Sequence, residues 1–177
     1  MRIISGKFGG RRISPPHNMP HTRPTTDIAK EGLFNMLQNR VQIEGAKTLD
    51  LFGGTGCISY ELASRGAADL TIVEKDSIML GFIKKNIEML KIENVQLLQM
   101  DVFQYLSTCK NQYDVIFAGP PYALNTIDQL PKIIVEQQLI SPEGYFILEH
   151  TPRNNYKNYP GYSFERNYGT TIFSFFE

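Results

Sequence analysis

The sequence predicts an α/β protein with a mostly parallel sheet covered by helices on both faces, and three observations support this. Apolar, strand-like runs alternate with helix-like runs from Lys47 to His150, the glycine-rich stretch "GGTG" directly follows the first of those strands, and acidic residues fall in or at the ends of three successive strands. Alternation of this kind builds βαβ units, whose crossovers make neighbouring strands parallel. Ligands then sit beyond the carboxyl ends of the strands, where the strand order reverses.

Each element has its own signal. "RIISGKFGGRRIS" alternates around Gly9-Gly10 and reads as a β-hairpin, followed by the proline-broken loop "PPHNMPHTRP". Residues 1–24 are therefore an expected arm, and residues 25–177 the main domain. Thr25, Thr26 and Asp27 are capping residues for a helix through "IAKEGLFNML", with Ile28, Leu33, Phe34 and Leu37 expected toward the core. "KTLDLF", "LTIVE", "VQLLQMD", "YDVIFA" and "GYFILEH" read as strands. "CISYELASRG", "SIMLGFIKKNIEML", a short helix around "FQYL" and "QLPKIIVEQQ" read as the helices between them. The last stretch of the chain breaks the alternation. There "YSFERNYG" and "TTIFSFFE" flank a glycine and predict a closing antiparallel pair.

The chain of 177 residues is the size of one domain with a full core. It contains no run of eighteen apolar residues, which excludes a helical membrane span, and its start lacks the apolar stretch of a signal peptide. Cys57 and Cys109 are isolated from one another, which suits a reducing compartment and gives no thiolate metal site. A cytoplasmic protein is expected. Net charge is zero, but residues 1–40 carry seven Lys or Arg against two acids, so a net of about +5 there is balanced by about −5 elsewhere. A basic arm on an acidic body is a nucleic-acid footprint, with Arg2, Lys7, Arg11, Arg12 and Arg23 as candidate phosphate contacts; a solvated basic hairpin is the plainer alternative.

The cofactor half of a site is legible around the glycine loop. Glycines there permit a tight turn and a close backbone approach, and the next helix aims its N-terminus at the ligand. A nicotinamide dinucleotide would want a third glycine, where Gly54-Thr55-Gly56 is followed by Cys57, Ile58 and Ser59. Asp50, four residues before Gly54, discriminates further: a carboxylate there accepts the ammonium of S-adenosylmethionine, whereas it would repel a pyrophosphate. Glu74 would then take the ribose hydroxyls and Asp101 the adenine amine. Phe52, Gly54, Gly56 and Val102 complete the candidate cofactor set.

At this point "HTRPTTDIAKEGLFNML", "LDLFGGTGCISYELASRGA", the Glu74 strand end, "GPPY" and "RNYGTTIFSFFE" together resemble the RsmD family, over nearly the whole chain and in the right order. These are bacterial S-adenosylmethionine-dependent guanine-N2 methyltransferases of 16S ribosomal RNA. The resemblance implies a class I methyltransferase with a seven-stranded, Rossmann-like sheet and an N-terminal hairpin arm that touches RNA. It also implies a target at nucleotide 966 of 16S RNA, in the small subunit or its assembly intermediate. Asp50, Gly54, Glu74 and Asp101 would be cofactor contacts, and the "RPTTD" loop with Arg23 and Thr25 would face the substrate.

The amine half departs from that family's pattern. The family motif is Asp-Pro-Pro-Phe/Tyr: the Asp oxygen and a backbone carbonyl accept the two amine protons, aiming a delocalised lone pair at the methyl, and the aromatic stacks on a base drawn from its helix. This chain keeps Pro120, Pro121 and Tyr122 but carries Gly119 in place of the acid. Losing one such partner typically costs about 10²–10³ in rate. Asp114, five residues back along a strand, is about 16 Å away and too far. Glu149 should end the neighbouring strand, one strand spacing from Gly119, and is the candidate replacement acceptor; His150 faces the other way. Two readings follow: a monomeric, metal-free methyltransferase of 16S RNA, or a cofactor-binding RNA-binding protein with little catalysis. His17 and His21 lie among prolines that forbid a shared helical face, so no metal site is expected.

Overall fold

A computed structural model describes residues 1–19 and 24–177. The elements run in order as α1 (Asp27–Leu37), β1 (Lys47–Leu51), α2 (Cys57–Ser64), β2 (Asp69–Val73), α3 (Ser77–Leu90), β3 (Val95–Leu98), α4 (Val102–Thr108), β4 (Tyr113–Ala118), α5 (Gln129–Glu136), β5 (Ile140–His150), β6 (Tyr162–Tyr168) and β7 (Thr171–Phe176). They form one seven-stranded sheet in the order β3-β2-β1-β4-β5-β7-β6. Strands β1 to β5 are parallel; β7 runs antiparallel between β5 and β6. This is the expected α/β architecture, and its strand order reverses between β1 and β4.

Strand alternation sends each face of the sheet into its own core. Leu49, Leu51, Ile116, Ala118, Phe146 and Leu148 pack with Leu106 of α4 and Leu130 and Ile134 of α5. On the opposite face Val115, Phe117, Ile147 and Phe173 meet Leu33, Phe34 and Leu37 of α1 and Ile58 and Leu62 of α2. Asp114 stitches the lower ends of three strands, accepting hydrogen bonds from Lys47 N (2.8 Å) and Ser141 Oγ (2.6 Å). His150 points away from the site, between Ser174 Oγ at 2.7 Å and the carbonyl of Thr151 at 2.9 Å.

Helix α1 is capped by Thr26, which accepts from Ala29 N. Its inner face differs from expectation at one position: Ile28 is 77% exposed, while Ala29, Lys30, Leu33, Phe34 and Leu37 are buried. At 100° per residue the stripe through 33, 34 and 37 continues to 29 and 30 and leaves 28 outside. Lys30 is tolerated inside because its ammonium donates to the carbonyl of Arg2 (2.5 Å) and lies 3.8 Å from Glu61.

The N-terminal segment folds back on itself as a short hairpin: the antiparallel bridge of Arg2 and Arg12 is flanked by hydrogen bonds from Ile3 N to the carbonyl of Arg11 (2.9 Å) and from Ile13 N to the carbonyl of Met1 (3.0 Å). Backbone groups between residues 4 and 8 turn to α2. Glu61 accepts from the backbone of Ile4 (2.8 Å) and Ser5 (3.1 Å), Ser64 Oγ accepts from Phe8 N (2.9 Å), and the carbonyl of Ser64 accepts from Lys7 N (2.7 Å). Ile3, Phe8 and Ile13 pack with Tyr60 and Leu90. The segment is thus held along the outside of α2 and α3.

Candidate active site

The carboxyl ends of β1, β2 and β4 open onto a cavity of about 170 Å³, whose walls include Phe52, Gly54, Glu74, Asp101, Val102, Gly119, Pro120, Pro121, Tyr122 and Glu149. A smaller recess continues from it past Phe52, Gly54, Gly119 and Glu149 to Thr25 and Asp50. The two halves read from the sequence therefore share one space at the switch point of the sheet.

The glycine loop is shaped by close contacts. Phe52 itself turns left-handed, at φ 61°, a costly state for a bulky side chain and one found at constrained functional corners. A Cβ on Gly53 would stand 2.6 Å from Ile72 Cγ2, so only glycine lets the loop pass so near β2. Gly54 donates its backbone N–H to Glu74 Oε2 at 2.8 Å, while Asp76 N donates to Glu74 Oε1 at 2.8 Å. Glu74 therefore holds the loop as well as lining the cavity. Gly56 lies outside both recesses; at φ 80° it turns the chain into α2.

Asp50 is buried in β1 and accepts a hydrogen bond from Ser59 Oγ at 2.6 Å. Burial pushes its carboxyl up to about 7, opposed by the Ser59 hydrogen bond and aided by the charge of Glu74. An acid in that state is a receptor for a cation: an ammonium entering the recess restores the charge that burial disfavours. Asp101 caps α4, its Oδ1 accepting from Phe103 N (2.8 Å) and Gln104 N (3.2 Å), which leaves Oδ2 for an adenine amine. The donor set thus fits the three polar parts of S-adenosylmethionine, with Phe52, Met100 and Val102 offering apolar surface to its rings.

On the amine side, Ala118 of β4 pairs with Leu148 of β5, so Gly119 and Glu149 emerge side by side. A Cβ on Gly119 would lie 3.7 Å from Glu149 Oε2 and 3.1 Å from Phe117 Cε1. Glu149 is buried, and among the described residues two hydroxyls hold it. Thr25 Oγ1 donates to Oε2 at 2.6 Å, and Tyr122 Oη donates to Oε1 at 3.0 Å.

The basic candidates do not converge. Arg2 and Arg12 meet at the bridge near Asp27, whose Oδ1 accepts from Arg2 N at 3.3 Å. Lys7 and Arg11 flank the Phe8 ring, each 5.5 Å from its centroid, beside the far end of α2. Arg23 and His21 lie outside the described residues. Among the described residues no helix is long and apolar enough to cross a membrane. Sequence reasoning missed Ser59, whose hydroxyl reaches Asp50 only once the first turn of α2 folds over β1. It also missed the grip of Thr25 on Glu149, 124 residues away.

Comparison with known proteins settles the family. The model of the family described as Conserved hypothetical protein 95 matches residues 1–177. A ribosomal RNA small subunit methyltransferase D of Buchnera aphidicola is 31% identical over 164 residues, covering 88% of this chain and 83% of its own. The chain belongs to the small-subunit ribosomal RNA methyltransferase D family. Among solved structures, a putative methyltransferase from Escherichia coli superposes on this family member with a TM-score of 0.86 at 26% identity, covering 99% of this chain and 96% of that one. A 16S rRNA N2 methyltransferase of Thermus thermophilus, in complex with AdoMet and guanosine, gives a TM-score of 0.68 at 25% identity, over 86% of this chain and 43% of that one. The fold is that of a class I methyltransferase, and its cofactor is S-adenosylmethionine.

Proposed function

We propose that this enzyme methylates the exocyclic N2 of a guanine in 16S ribosomal RNA, acting as a cytoplasmic monomer on the small subunit or its assembly intermediate. The observation that carries the reading is the shared space. The Pro120-Pro121-Tyr122 corner, which suits a planar amine, faces the same cavity as Glu74 and Asp101.

When bound, S-adenosylmethionine supplies an electrophilic methyl on a sulfonium. Asp50 would receive its ammonium, Glu74 its ribose hydroxyls and Asp101 its adenine amine. Tyr122 stacks on the extruded base, a contact every base offers through its π-face. Pro24 and Thr25 line the recess beside Asp50 and Glu149. Arg2 and Arg12 contribute sequence-independent, salt-sensitive attraction to phosphates, with Lys7 and Arg11 reaching RNA farther from the mouth.

The second reading, binding without turnover, rests on Gly119 alone. Transfer of labelled methyl to small subunits lacking the modification, followed by nucleoside analysis, separates the two. N2-methylguanosine is the expected product, and cofactor binding without any labelled nucleoside would favour the second reading.

A further inference from the structure

An amine aimed at a methyl donor needs acceptors for both of its protons, and Gly119 offers no side chain. A backbone carbonyl of the corner can take one of them. We propose that Glu149 takes the other, as the catalytic acceptor of this chain's target amine. The inference rests on the methyl-transfer reading above and names the residue that reading leaves open.

Position is the first argument. The β4–β5 register places Glu149 beside Gly119, and Oε2 stands 3.7 Å from where a Cβ would begin. A carboxylate built on residue 119 would extend into the region that the Glu149 carboxylate reaches from the next strand. The same acid lines both the cofactor cavity and the recess leading to Thr25 and Asp50, so it borders the route between methyl and amine.

Preorganisation is the second argument. Glu149 is 4% exposed and held by Thr25 Oγ1 at 2.6 Å and Tyr122 Oη at 3.0 Å. Those donors come from the two loops that frame the mouth. The amine joins these bonds or takes the place of the Tyr122 bond, so seating of the base and placement of its acceptor are coupled. In the transfer the nitrogen lone pair forms the new N–C bond as the C–S pair returns to sulfur. The proton released from nitrogen passes to Glu149 and from there to water. An acceptor fixed before the reaction costs no reorganisation in the transition state.

A strut that merely ties the loops together would make the same contacts, so the test must separate a strut from an acceptor. Single-turnover methyl transfer to unmodified small subunits is measured for the wild type, Glu149→Gln, Gly119→Asp and the Gly119→Asp/Glu149→Gln double variant. Calorimetric cofactor affinity and melting temperature are measured beside it. Glu149→Gln is expected to slow transfer at least 100-fold with cofactor affinity within threefold, and Gly119→Asp is expected to recover at least tenfold in that background. Transfer by Glu149→Gln within threefold of wild type overturns the proposal. So does a slow Gln variant that Gly119→Asp fails to rescue, because a strut lost at 149 is not rebuilt at 119. Should the Gln variant not fold, Glu149→Asp, with its carboxylate drawn back by one methylene, must transfer at least tenfold slower; a rate within threefold overturns the assignment. A wild type that is inactive while Gly119→Asp works refutes Glu149 and leaves the substrate reading standing. If neither protein labels guanine although both bind cofactor, the substrate reading itself fails, and the acceptor role falls with it.

Discussion

Cofactor affinity should depend on pH through Asp50. Burial holds its carboxyl at about 7, against the ordinary 3.8, while Ser59 is its hydrogen-bond donor at 2.6 Å. If the ligand's ammonium enters only beside the ionised form, affinity follows the ionised fraction. For a group titrating near 7, that fraction rises from about 3% at pH 5.5 to about 76% at pH 7.5, or ~25-fold and ~1.9 kcal/mol in affinity. The ligand's own amino group loses its proton above roughly pH 8, so affinity should peak between about 7 and 8. Isothermal calorimetry suits the measurement, since the chain has no tryptophan. Titrations in two buffers of different ionisation enthalpy should show release of about half a proton at pH 7. Asp50→Asn should bind more weakly and lose the slope. Wild-type affinity flat within twofold from pH 5.5 to 7.5, or a slope kept by Asp50→Asn, would refute the reasoning. The sign on folding is opposite: a raised folded pKa gives stability that is complete below about pH 4 and lost as pH rises through about 7. Bound cofactor should compensate that loss.

Three further outcomes are expected. Glu61→Ala strips the arm of its backbone acceptor and leaves Lys30 buried beside no partner at 61; a loss of about 3–5 kcal/mol is expected from denaturant unfolding, with faster amide exchange over residues 3–13. Gly53→Ala puts a Cβ 2.6 Å from Ile72 Cγ2 and should cost about 1–3 kcal/mol, with weaker cofactor binding by calorimetry. His150 is held below its ordinary 6.5 by burial, so its contribution to stability is complete above about pH 6.5 and lost as pH falls through the folded value. Melting curves from pH 7.5 to 5 should therefore fall more steeply for the wild type than for His150→Gln.

Legibility in the sequence follows how local the determining physics is. "YDVIFA" and "SIMLGFIKKNIEML" are β4 and α3 residue for residue, because one is a continuous apolar run and the other begins at an aspartate that caps it. The reach of Glu149 toward Gly119 follows from strand spacing alone, and the structure sets the two residues side by side. The arm closes as the expected hairpin, but its seat on Glu61 and Ser64, more than fifty positions away, is something no alternation pattern encodes. Ile28 reads as one more inward apolar residue, whereas the helical stripe runs through Lys30, a residue whose type argues against burial. The capping task of Asp101 and the loop-holding task of Glu74 are invisible for a related reason. A carboxylate at a strand end looks the same in sequence whether it serves the ligand, the backbone or both.

The insertion of β7 between β5 and β6 gives the strand that ends in Glu149 a second neighbour drawn from the far end of the chain. Until Phe173 and Ser174 pair with Glu149 and Leu148, β5 is an eleven-residue strand with one long side unsatisfied. Such an open apolar edge invites pairing with other chains. Closing it requires residues some 25 positions farther along, after β6 has already been laid down. The β4–β5 pair sets Glu149 beside Gly119 from one side, and β7 covers the other side of the same strand. A substitution in β7 that breaks this pairing, such as Ser174→Pro, would reopen the edge and should make the chain self-associate while the parallel half still holds cofactor.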